Sequence, residues 1–465
     1  MDFSLRSTRV KKTAGDSHRA HGGDDLSSID WTTRRVTVMG LGRHGGGLGA
    51  ARYLAGLGAH VTISDTADRH GLAESLAQLS DVPIVALALG GHREADFREP
   101  EFVVVNPAVR PEHPCLRIAR AGGAILTSEI ELFLHRCPAR VVGVTGSNGK
   151  STTCSMLAAM LSAAGQRVWL GGNIGGSLLG ELDQMTVDDW VVLELSSFQL
   201  EHLSDRAPLP KLALVTNCAP NHLDWHGSFG AYRRAKQRIV SAQSADGLAV
   251  LNQHDPQVVA WAAVARGRTR GAWSLEKVPS LAVPGIHNRQ NAACAAAAAE
   301  AAGVDEAAIC EALRTFRGLN HRLQFVGEVA GRRFYNDSKS TTAEATMAAL
   351  NACDAPVWLL AGGHPKGADF DELARAIVSR ALGAGLFGTA RNALQSCLRS
   401  QSADFNTLAT EHLADALAWC WRQSQPGDAI LLSPACASVD QFRDFEARGE
   451  MFCRLTRAIQ SRFKN

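Results

Sequence analysis

The feature that most constrains the fold of this chain is a glycine-rich segment that directly follows an apolar run. Residues 141–144 have the composition of a buried strand, and the residues after them read T-G-S-N-G-K-S-T before an apolar helical pattern begins. A strand that turns through such a loop into a helix presents free backbone N–H groups to a phosphate, and it belongs to a parallel α/β sheet. Val144 replaces the first glycine of the strict phosphate-loop spacing. The segment therefore predicts an α/β fold with a variant phosphate loop.

This loop is predicted to hold the phosphates of a nucleotide. In loops of this kind the backbone amides cradle the phosphates, a lysine supplies a mobile cation, and the next hydroxyl can bind Mg²⁺. Lys150 and Ser151 take these two positions here. The predicted phosphate-binding residues are Gly146, Ser147, Asn148, Gly149, Lys150, Ser151 and Thr152.

A second glycine-rich turn lies near the start of the chain. Gly40, Gly42 and Gly45 give the spacing G-x-G-x-x-G after a predicted strand over residues 35–39, and Asp65 follows Gly45 by 20 residues. This is the pattern of a dinucleotide site, although UDP can use the same turn and a glycine-rich turn can also bind nothing. The turn therefore predicts a phosphate-bearing nucleotide and leaves NAD and UDP as alternatives.

Strand and helix patterns alternate along nearly all of the 465 residues. A chain of this length suggests about three domains. We expect a flexible tail over residues 1–31, followed by three α/β domains over residues 32–138, 139–322 and 323–465. An alanine-rich stretch over residues 292–302 is predicted to be a helix in which most alanines are only filler.

The composition argues against several classes of protein. A formal net charge of +2 does not favour nucleic-acid binding driven by bulk charge. None of the 11 cysteines forms a C-x-x-C pair, which indicates reduced thiols and neither disulfides nor a zinc site. No apolar run reaches the ~18 residues of a membrane helix, and the start of the chain lacks the apolar stretch of a signal peptide. We expect a cytoplasmic protein.

Three polar residues follow elements that come after the phosphate loop. Glu194 ends an apolar strand pattern, His222 lies in the loop after the next strand, and Lys236 lies on a predicted helix. Each residue alone is more typical of a solvated or structural side chain. Glu194 is well placed to be a ligand of Mg²⁺, which prefers oxygen ligands with waters and nucleotide phosphates. Three such positions downstream of a phosphate loop together favour a functional role.

Further motifs occur in an order found in one family of enzymes. Between the first glycine turn and the end of the chain they are T-G-S-N-G-K-S-T, G-G-N-I-G (171–175), L-E-L-S-S-F-Q-L, N-H-L-D, Y-R-R-A-K, H-N-R-Q-N (287–291), G-L-N-H-R (318–322), Y-N-D-S-K-S-T (335–341), G-G-H-P-K-G-A-D-F (362–370) and S-P-A-C-A-S-V-D-Q-F-R-D-F-E-A-R-G (433–449). With these motifs the chain resembles the Mur ligases over about residues 34–460. The last two motifs resemble those of the members that add D-glutamate.

The resemblance implies an N-terminal Rossmann-like UDP-binding domain, a central P-loop-type ATPase domain and a C-terminal Rossmann-like domain that binds the amino acid. It implies an ADP-forming ligase that joins D-glutamate to UDP-N-acetylmuramoyl-L-alanine through an acyl phosphate, in the cytoplasmic stage of peptidoglycan precursor synthesis. The implied partners are these small molecules and ATP, without nucleic acid or membrane insertion. The implied oligomeric state is a monomer.

The resemblance also implies roles for individual residues. The implied catalytic residues are Lys150, His222 and Lys236. In the ATP site, the phosphate loop is joined by Asn288, Asn291, Arg322 and Asp337. Two Mg²⁺ ions are implied, one on Ser151 and Glu194, the other on His222 and on Lys236 carrying a CO₂-derived carbamate. The implied UDP-sugar residues are Gly42, Arg43, His44, Asp65, Thr66, Asn173, Ser196 and Gln199. The implied D-glutamate residues are Thr341, Lys366, Ser438 and Phe445.

Three other interpretations stay open. The nearest is a related amide ligase of the Mur or folylpolyglutamate type that adds another amino acid, including L-glutamate. An NAD-dependent oxidoreductase explains the first glycine turn but leaves the phosphate loop unexplained. The third is a non-catalytic nucleotide-binding regulator. Release of phosphate that requires both substrates would exclude this interpretation.

Overall fold

The computed structural model describes residues 25–42, 45–365 and 369–463. Over these ranges helices alternate with the strands of three sheets, and all strand pairs but one are parallel. The chain is therefore α/β, as the alternating patterns predict. The described residues form two compact units: one holds the residues up to Arg136 together with Leu203–Pro208, the other Cys137–His202 and the residues from Leu209 onward. None of the helices in these ranges is long and apolar enough to cross a bilayer.

The first unit contains a five-stranded parallel sheet. Its strands are β1 (Arg35–Met39), β2 (His60–Asp65), β3 (Ile84–Leu89), β4 (Phe102–Val105) and β5 (Ile125–Thr127). Its helices are α1 (Gly46–Gly56), α2 (Ala73–Ala77), α3 (Pro114–Ala121) and α4 (Glu129–Arg136). The strand order β3-β2-β1-β4-β5 reverses between β1 and β4. Open α/β sheets bind ligands beyond the carboxyl ends of the strands at such a point, which is where the first glycine turn lies.

The residues just before β1 pack onto this unit. The Trp31 side chain is 2% exposed, and its ring centroid lies 4.7 Å from that of Phe102. The guanidinium of Arg136 donates hydrogen bonds to the carbonyl oxygens of Leu26 and Ile29. The flexible tail predicted over residues 1–31 is therefore wrong for residues 25–31, because a buried tryptophan fixes them to the sheet. Residues 1–24 lie outside the described ranges.

One short segment from later in the chain completes the first unit. Leu203–Pro208 belongs to it, and both the amide and the hydroxyl of Ser204 donate to the carboxylate of Glu131 in α4. Glu131 is buried, and a buried carboxylate is costly without hydrogen-bond donors. The segment is therefore a structural part of a unit whose other residues all come before it in sequence.

The second unit contains two six-stranded sheets. The strands of the first are β6 (Arg140–Thr145), β7 (Val168–Gly172), β8 (Trp190–Glu194), β9 (Leu212–Val215), β10 (Leu248–Leu251) and β11 (Arg268–Gly271). Its helices are α5 (Lys150–Ala163), α6 (Ser197–Glu201), α7 (Leu223–His226), α8 (Phe229–Ser241), α9 (Pro256–Val259), α10 (Ile286–Ala301) and α11 (Glu306–Thr315). In the order β11-β10-β9-β6-β8-β7, β6 lies between β8 and β9. The loops after these three parallel strands therefore open at one edge.

The second sheet of this unit is parallel except for its first strand. Its strands are β12 (Gln324–Val329), β13 (Arg332–Asn336), β14 (Val357–Gly362), β15 (Ala381–Phe387), β16 (Thr407–Ala409) and β17 (Ala429–Leu432). Its helices are α12 (Ala343–Ala352), α13 (Asp371–Arg380), α14 (Arg391–Gln401), α15 (Leu413–Gln423) and α16 (Phe445–Arg462). The order is β12-β13-β17-β14-β15-β16, with β12 antiparallel to β13. The loops after β13, β17 and β14 are consequently neighbours.

Helix α10 is packed almost entirely through alanine side chains. Residues 292–299, all alanine except Cys294, are 0% exposed, and the helix contacts α5 and α11 within one core. Small side chains let helix backbones approach closely, so these alanines are core residues. The prediction that most of them are filler is wrong. Because α5 follows the phosphate loop directly, this packing ties α10 to the loop.

Candidate active site

The phosphate loop joins β6 to α5 and is fastened to the end of β9. The amide of Asn148 donates to Asn217 Oδ1 at 2.8 Å, and the Thr216 hydroxyl donates to the Asn148 carbonyl at 2.7 Å. The Ser147 hydroxyl donates to the carbonyl of Ala219 at 2.9 Å and lies 2.8 Å from the Tyr232 hydroxyl. The segment that follows β9, together with α8, therefore holds the middle of the loop in place.

Two glycines of the loop are required by its geometry. Gly149 has φ of 78°, in the left-handed region, and a Cβ there would meet the side-chain oxygen of Asn291. A Cβ at Gly146 would meet the Thr216 hydroxyl. Glycine is the residue that tolerates both the backbone angle and the close approach. The contact also brings Asn291, a predicted ATP residue on α10, against the loop.

The lysine of the loop folds back over it. Lys150 Nζ donates to the carbonyl oxygens of Gly146 at 2.9 Å and Ser147 at 3.0 Å. Burial lowers the pKa of Lys150, while the charge of Glu194 opposes that shift. The ammonium is therefore already partly desolvated beside the amides that are predicted to receive a phosphate.

Next to this lysine lies a pair of oxygen ligands. The Ser151 hydroxyl donates to Glu194 Oε2 at 2.6 Å, and Asn173 donates through its amide to Glu194 Oε1 at 2.8 Å. The structure thus brings together Ser151 and Glu194, the pair predicted for one Mg²⁺. It also places Asn173, predicted for the UDP-sugar, directly on the carboxylate.

Lys236 is enclosed by the second unit. Its side chain on α8 is 1% exposed, with Nζ 3.4 Å from Thr145 Oγ1 and 5.0 Å from the ring centroid of Tyr232. Burial, followed by the charge of Lys150, lowers the pKa of Lys236 to about 7. A large fraction of its amine is therefore neutral at physiological pH, and a neutral amine is the form that reacts with electrophiles such as CO₂.

His222 lies in an aromatic cluster beside this lysine. Its backbone φ is 52°, and its ring centroid lies 4.8 Å from that of Phe198. Burial, then the charges of Lys236 and Lys150, lowers its pKa. This shift favours the neutral imidazole, which is the form that can accept a metal ion or a proton.

A second histidine, which was not among the predicted site residues, lies in the same cluster. His226 Nε2 lies 2.9 Å from Ser197 Oγ, and its ring stacks on Phe198 with centroids 5.4 Å apart. Burial lowers the pKa of His226 to about 4. The H-L-D-W-H spacing, one helical turn from His222, was the signal for this packing.

The residues near the loop fit magnesium better than a transition metal. Within the described ranges, no three side chains of His, Cys, Asp or Glu come together as a metal site. Mg²⁺ does not require such a cluster, because it keeps several waters and takes other ligands from phosphates. The hydroxyl of Ser151 and the carboxylate of Glu194 are suitable oxygen ligands for it.

A cavity of about 230 Å³ opens beside the phosphate loop. Its walls come from both sheets of the second unit. They include the predicted ATP residues Gly149, Thr152, Asn288, Asn291, Arg322 and Asp337, together with His287, Leu323, Lys339 and Ser340. Lys339 and Ser340 were not predicted as site residues, although both lie in the motif Y-N-D-S-K-S-T. A larger cavity, of about 400 Å³ and lined in part by Arg289, Arg333 and Tyr335, contains none of the predicted site residues.

Asp337 is the acidic side chain among the described residues that line this cavity. It is 5% exposed, and it accepts hydrogen bonds from the Leu323 amide at 3.0 Å and the Ser433 hydroxyl at 2.8 Å. Burial raises the pKa of Asp337 to about 6 despite these bonds. The folded protein therefore favours the protonated carboxyl more than the unfolded chain does.

Asp337→Asn is expected to stabilise the protein against urea at pH 8 but not at pH 4. The stability contributed by the protonated carboxyl is complete below the unfolded pKa near 4 and is lost as pH rises through the folded pKa of about 6. Asparagine does not titrate, so its advantage appears only above that window and amounts to at most about 3 kcal/mol. Asp404→Asn, at an exposed position, serves as the control. Equal effects of Asp337→Asn at both pH values would contradict the assignment.

In the first unit, Asp65 holds the glycine turn. Its Oδ2 accepts from the amides of Leu41 at 2.8 Å and Gly42 at 3.2 Å, and its Oδ1 accepts from the amide of Ala67 at 2.8 Å. Thr66 is exposed beside it. Arg43 and His44 lie outside the described residues. In a dinucleotide site this carboxylate would bind the ribose. Here it accepts hydrogen bonds mainly from the backbone of the turn itself.

Ser196 and Gln199, which are predicted to bind the UDP-sugar, form the N-terminal cap of a helix. The amide of Ser196 donates to Gln199 Oε1 at 2.9 Å, and the amide of Gln199 donates to Ser196 Oγ at 3.2 Å. This capping box begins α6. Both side chains therefore have a structural role in the described chain.

The residues predicted for D-glutamate lie on neighbouring loops of the last sheet. Thr341 follows β13, Ser438 follows β17, and the amide of Ala435 donates to the Ser340 carbonyl at 3.0 Å between these loops. Phe445 begins α16, with its ring centroid 5.0 Å from the ammonium of Lys339. Lys366 lies outside the described residues.

A phosphate loop that carries a Ser–Glu oxygen pair, beside a buried lysine and a cavity shared by two sheets, defines an α/β nucleotide-binding protein. Three family models match this chain: "Mur ligase MurD-like, N-terminal domain" over residues 34–128, "Mur ligase middle domain" over residues 144–277, and "Mur ligase, glutamate ligase domain" over residues 321–436. The chain belongs to the Mur ligase family.

Two relatives that match this chain over nearly its whole length share the same name. A UDP-N-acetylmuramoylalanine–D-glutamate ligase of Roseiflexus sp. (strain RS-1) is 39% identical over 461 residues, covering 92% of this chain and 99% of its own. The ligase of that name from Geobacillus kaustophilus (strain HTA426) is 37% identical, with 90% and 96% covered.

Solved structures support the fold. A UDP-N-acetylmuramoyl-L-alanyl-D-glutamate–2,6-diaminopimelate ligase aligns with a TM-score of 0.57 at 17% identity, over 79% of this chain and 94% of its own. The UDP-N-acetylmuramate–alanine ligase of Thermotoga maritima aligns with a TM-score of 0.52 at 20% identity, over 91% and 99%.

Proposed function

We propose that this protein is an ATP-dependent ligase that joins D-glutamate to UDP-N-acetylmuramoyl-L-alanine in the cytoplasm, forming ADP and phosphate. The observation that carries the proposal is the phosphate loop with Lys150, the Ser151–Glu194 pair and the buried amine of Lys236 side by side. This combination occurs in a chain that is 39% identical, nearly end to end, to a relative named for that reaction.

The chemistry explains why such a site needs positioning more than covalent catalysis. A carboxylate is a poor electrophile, and transfer of the γ-phosphoryl group of ATP to it gives an acyl phosphate with a good leaving group. The amine of D-glutamate then forms the C–N bond and loses a proton, while the C–O bond to phosphate breaks. Lys150 neutralises charge on the phosphates.

We propose two magnesium sites in this reaction. Ser151 and Glu194 would hold one ion, and His222 with a carbamate on Lys236 would hold the second. When bound, such ions offset the negative charge of the phosphates and polarise the acyl oxygen. The protein holds the ligands: Glu194 is fixed by Asn173, and Lys236 is enclosed beside Thr145.

The remaining residues are proposed to bind the three substrates. ATP would contact the phosphate loop, Asn288, Asn291, Arg322 and Asp337. For the UDP-sugar we propose Gly42, Arg43, His44, Asp65, Thr66, Asn173, Ser196 and Gln199. For D-glutamate we propose Thr341, Lys366, Ser438 and Phe445. We also propose that the protein is a monomer with domains over residues 32–138, 139–322 and 323–465.

Phosphate release tests the proposed function. The purified protein is incubated with ATP, Mg²⁺ and UDP-N-acetylmuramoyl-L-alanine, and D-glutamate is compared with L-glutamate and a panel of other amino acids. We expect release that requires both substrates and is at least about tenfold faster with D-glutamate, which corresponds to about 1.4 kcal/mol of discrimination. Faster release with L-glutamate or another amino acid would overturn the substrate assignment. Nicotinamide-dependent absorbance changes without phosphate release would overturn the assignment as a ligase.

Lys366→Ala is expected to raise the KM for D-glutamate by about ten- to a hundredfold and to leave the KM for ATP within about twofold. A substrate with two carboxylates needs a fixed cation, and a charge-assisted hydrogen bond contributes about 1.5–3 kcal/mol. Lys211→Ala removes a surface lysine that pairs with Asp246 and serves as the control. A parallel rise of both KM values would argue against a role specific to the amino acid.

A further inference from the structure

Arg448 is a charged residue of the last motif to which the proposed reaction assigns no role. It lies in the first turn of α16 and is 0% exposed. Arginine is almost never fully buried without a charged partner, yet the hydrogen bonds described for Arg448 go to no carboxylate, and the nearby charge of Asp440 acts on it without a described contact. Burial lowers the pKa of Arg448 to about 10, so the guanidinium is still protonated at neutral pH.

Main-chain oxygens and one hydroxyl take the place of the missing acid. Arg448 Nε donates to Ser338 Oγ at 3.0 Å, and Nη2 donates to the Ser338 carbonyl at 2.8 Å. Nη1 donates to the carbonyl of Cys436 at 3.0 Å and makes a longer contact, 3.5 Å, with that of Gly362. Ser338 Oγ in turn donates to the carbonyl of Phe445 at 2.8 Å.

These acceptors lie at the carboxyl ends of three different strands. Ser338 follows β13, Cys436 follows β17, and Gly362 ends β14, and these three strands are adjacent in the sheet. Thr341 and Ser438 lie in the loops that follow β13 and β17. Arg448 therefore bonds to the starts of two loops that carry residues of the proposed amino-acid site, although it is itself too deeply buried to touch a ligand.

We propose that Arg448 is a positioning residue for the amino-acid substrate, because its guanidinium holds the carboxyl ends of β13, β14 and β17 in one fixed arrangement. This inference rests on the proposed function. The planar fork of five N–H donors can reach acceptors at all three strand ends at once, whereas a lysine has a single nitrogen.

The test compares Arg448→Lys with Phe452→Leu. Phe452 lies one turn further along α16, is also fully buried, and packs on Phe334 with ring centroids 6.4 Å apart. Melting temperature, kcat and the KM of each substrate are measured for both variants. For Arg448→Lys we expect the KM of D-glutamate to rise about tenfold, while the KM of UDP-N-acetylmuramoyl-L-alanine stays within about twofold. Phe452→Leu should lower the melting temperature without that selective rise.

A second variant covers the case in which Arg448→Lys does not fold. Ser338→Ala removes one anchor, leaves the guanidinium in place, and should raise the KM of D-glutamate about threefold. Equal changes in all three KM values, or the same selective rise in Phe452→Leu, would overturn the proposal. If the wild-type protein prefers another amino acid, the substrate assignment fails, and the same comparison with that amino acid still tests Arg448.

Discussion

Lys150→Ala is expected to lower the rate of ligation by about a thousandfold or more without unfolding the protein. The ammonium lies over the phosphate loop, where it can neutralise charge on the phosphoryl group being transferred, and a charge placed in this way typically contributes several kcal/mol. Burial lowers the pKa of Lys150, so its charge does not favour folding. Steady-state phosphate release measures the activity, and thermal unfolding measures the fold.

Lys277→Ala is the matched control for that change. Lys277 forms a surface ion pair with Glu306 and lies far from the loop in sequence. Its loss should leave the rate unchanged. If Lys150→Ala kept activity within about tenfold of the wild type, the assignment of the loop to catalysis would be wrong.

Lys236→Ala should be nearly inactive, and short-chain carboxylic acids should restore part of its activity. An ammonium has no acceptor for a metal ion, whereas CO₂ bonded to the neutral amine supplies carboxylate-like oxygens. The enclosure of Lys236 and its pKa of about 7 favour that neutral amine. A small acid can occupy the space that alanine leaves, and it offers the same pair of oxygens.

Lys236→Arg is the control, because arginine keeps a positive charge and does not form a carbamate. It should be inactive and should not respond to added acids. A carbamate signal after incubation with ¹³C-bicarbonate provides an independent measurement in the wild-type protein. An absence of that signal, together with a failure of the acids to restore Lys236→Ala, would exclude the carbamate.

Much of the fold was predictable because strands of a parallel sheet are apolar on both faces. The runs before Gly146 and after Asp428 stand out from their surroundings and become β6 and β17. The loops at the carboxyl ends of such strands were predictable sites for the same reason. The phosphate loop and the pairing of Ser151 with Glu194 belong to this group.

Other features depend on contacts that periodicity does not encode. Ser196 and Gln199 read as substrate residues, yet their polar atoms cap α6, and the carboxylate of Asp65 is used by three backbone amides. Lys236 resembles a solvated lysine on a helix, and only the folded structure shows that it is buried beside Thr145 and Tyr232. The alanines of α10 look like filler because only the neighbouring helix makes them a core.

The placement of Leu203–Pro208 in the first unit has a consequence for the order in which the protein is made. Domains fold largely as units while the chain leaves the ribosome, starting from the N-terminus. Here the five strands of the first sheet emerge early, but the Ser204 donors of buried Glu131 are translated only after β6, β7, β8 and α6. The first unit therefore cannot complete its hydrogen bonds until part of the second unit has been synthesised. A nascent chain stalled before residue 203 should remain more sensitive to proteases than one stalled beyond residue 208.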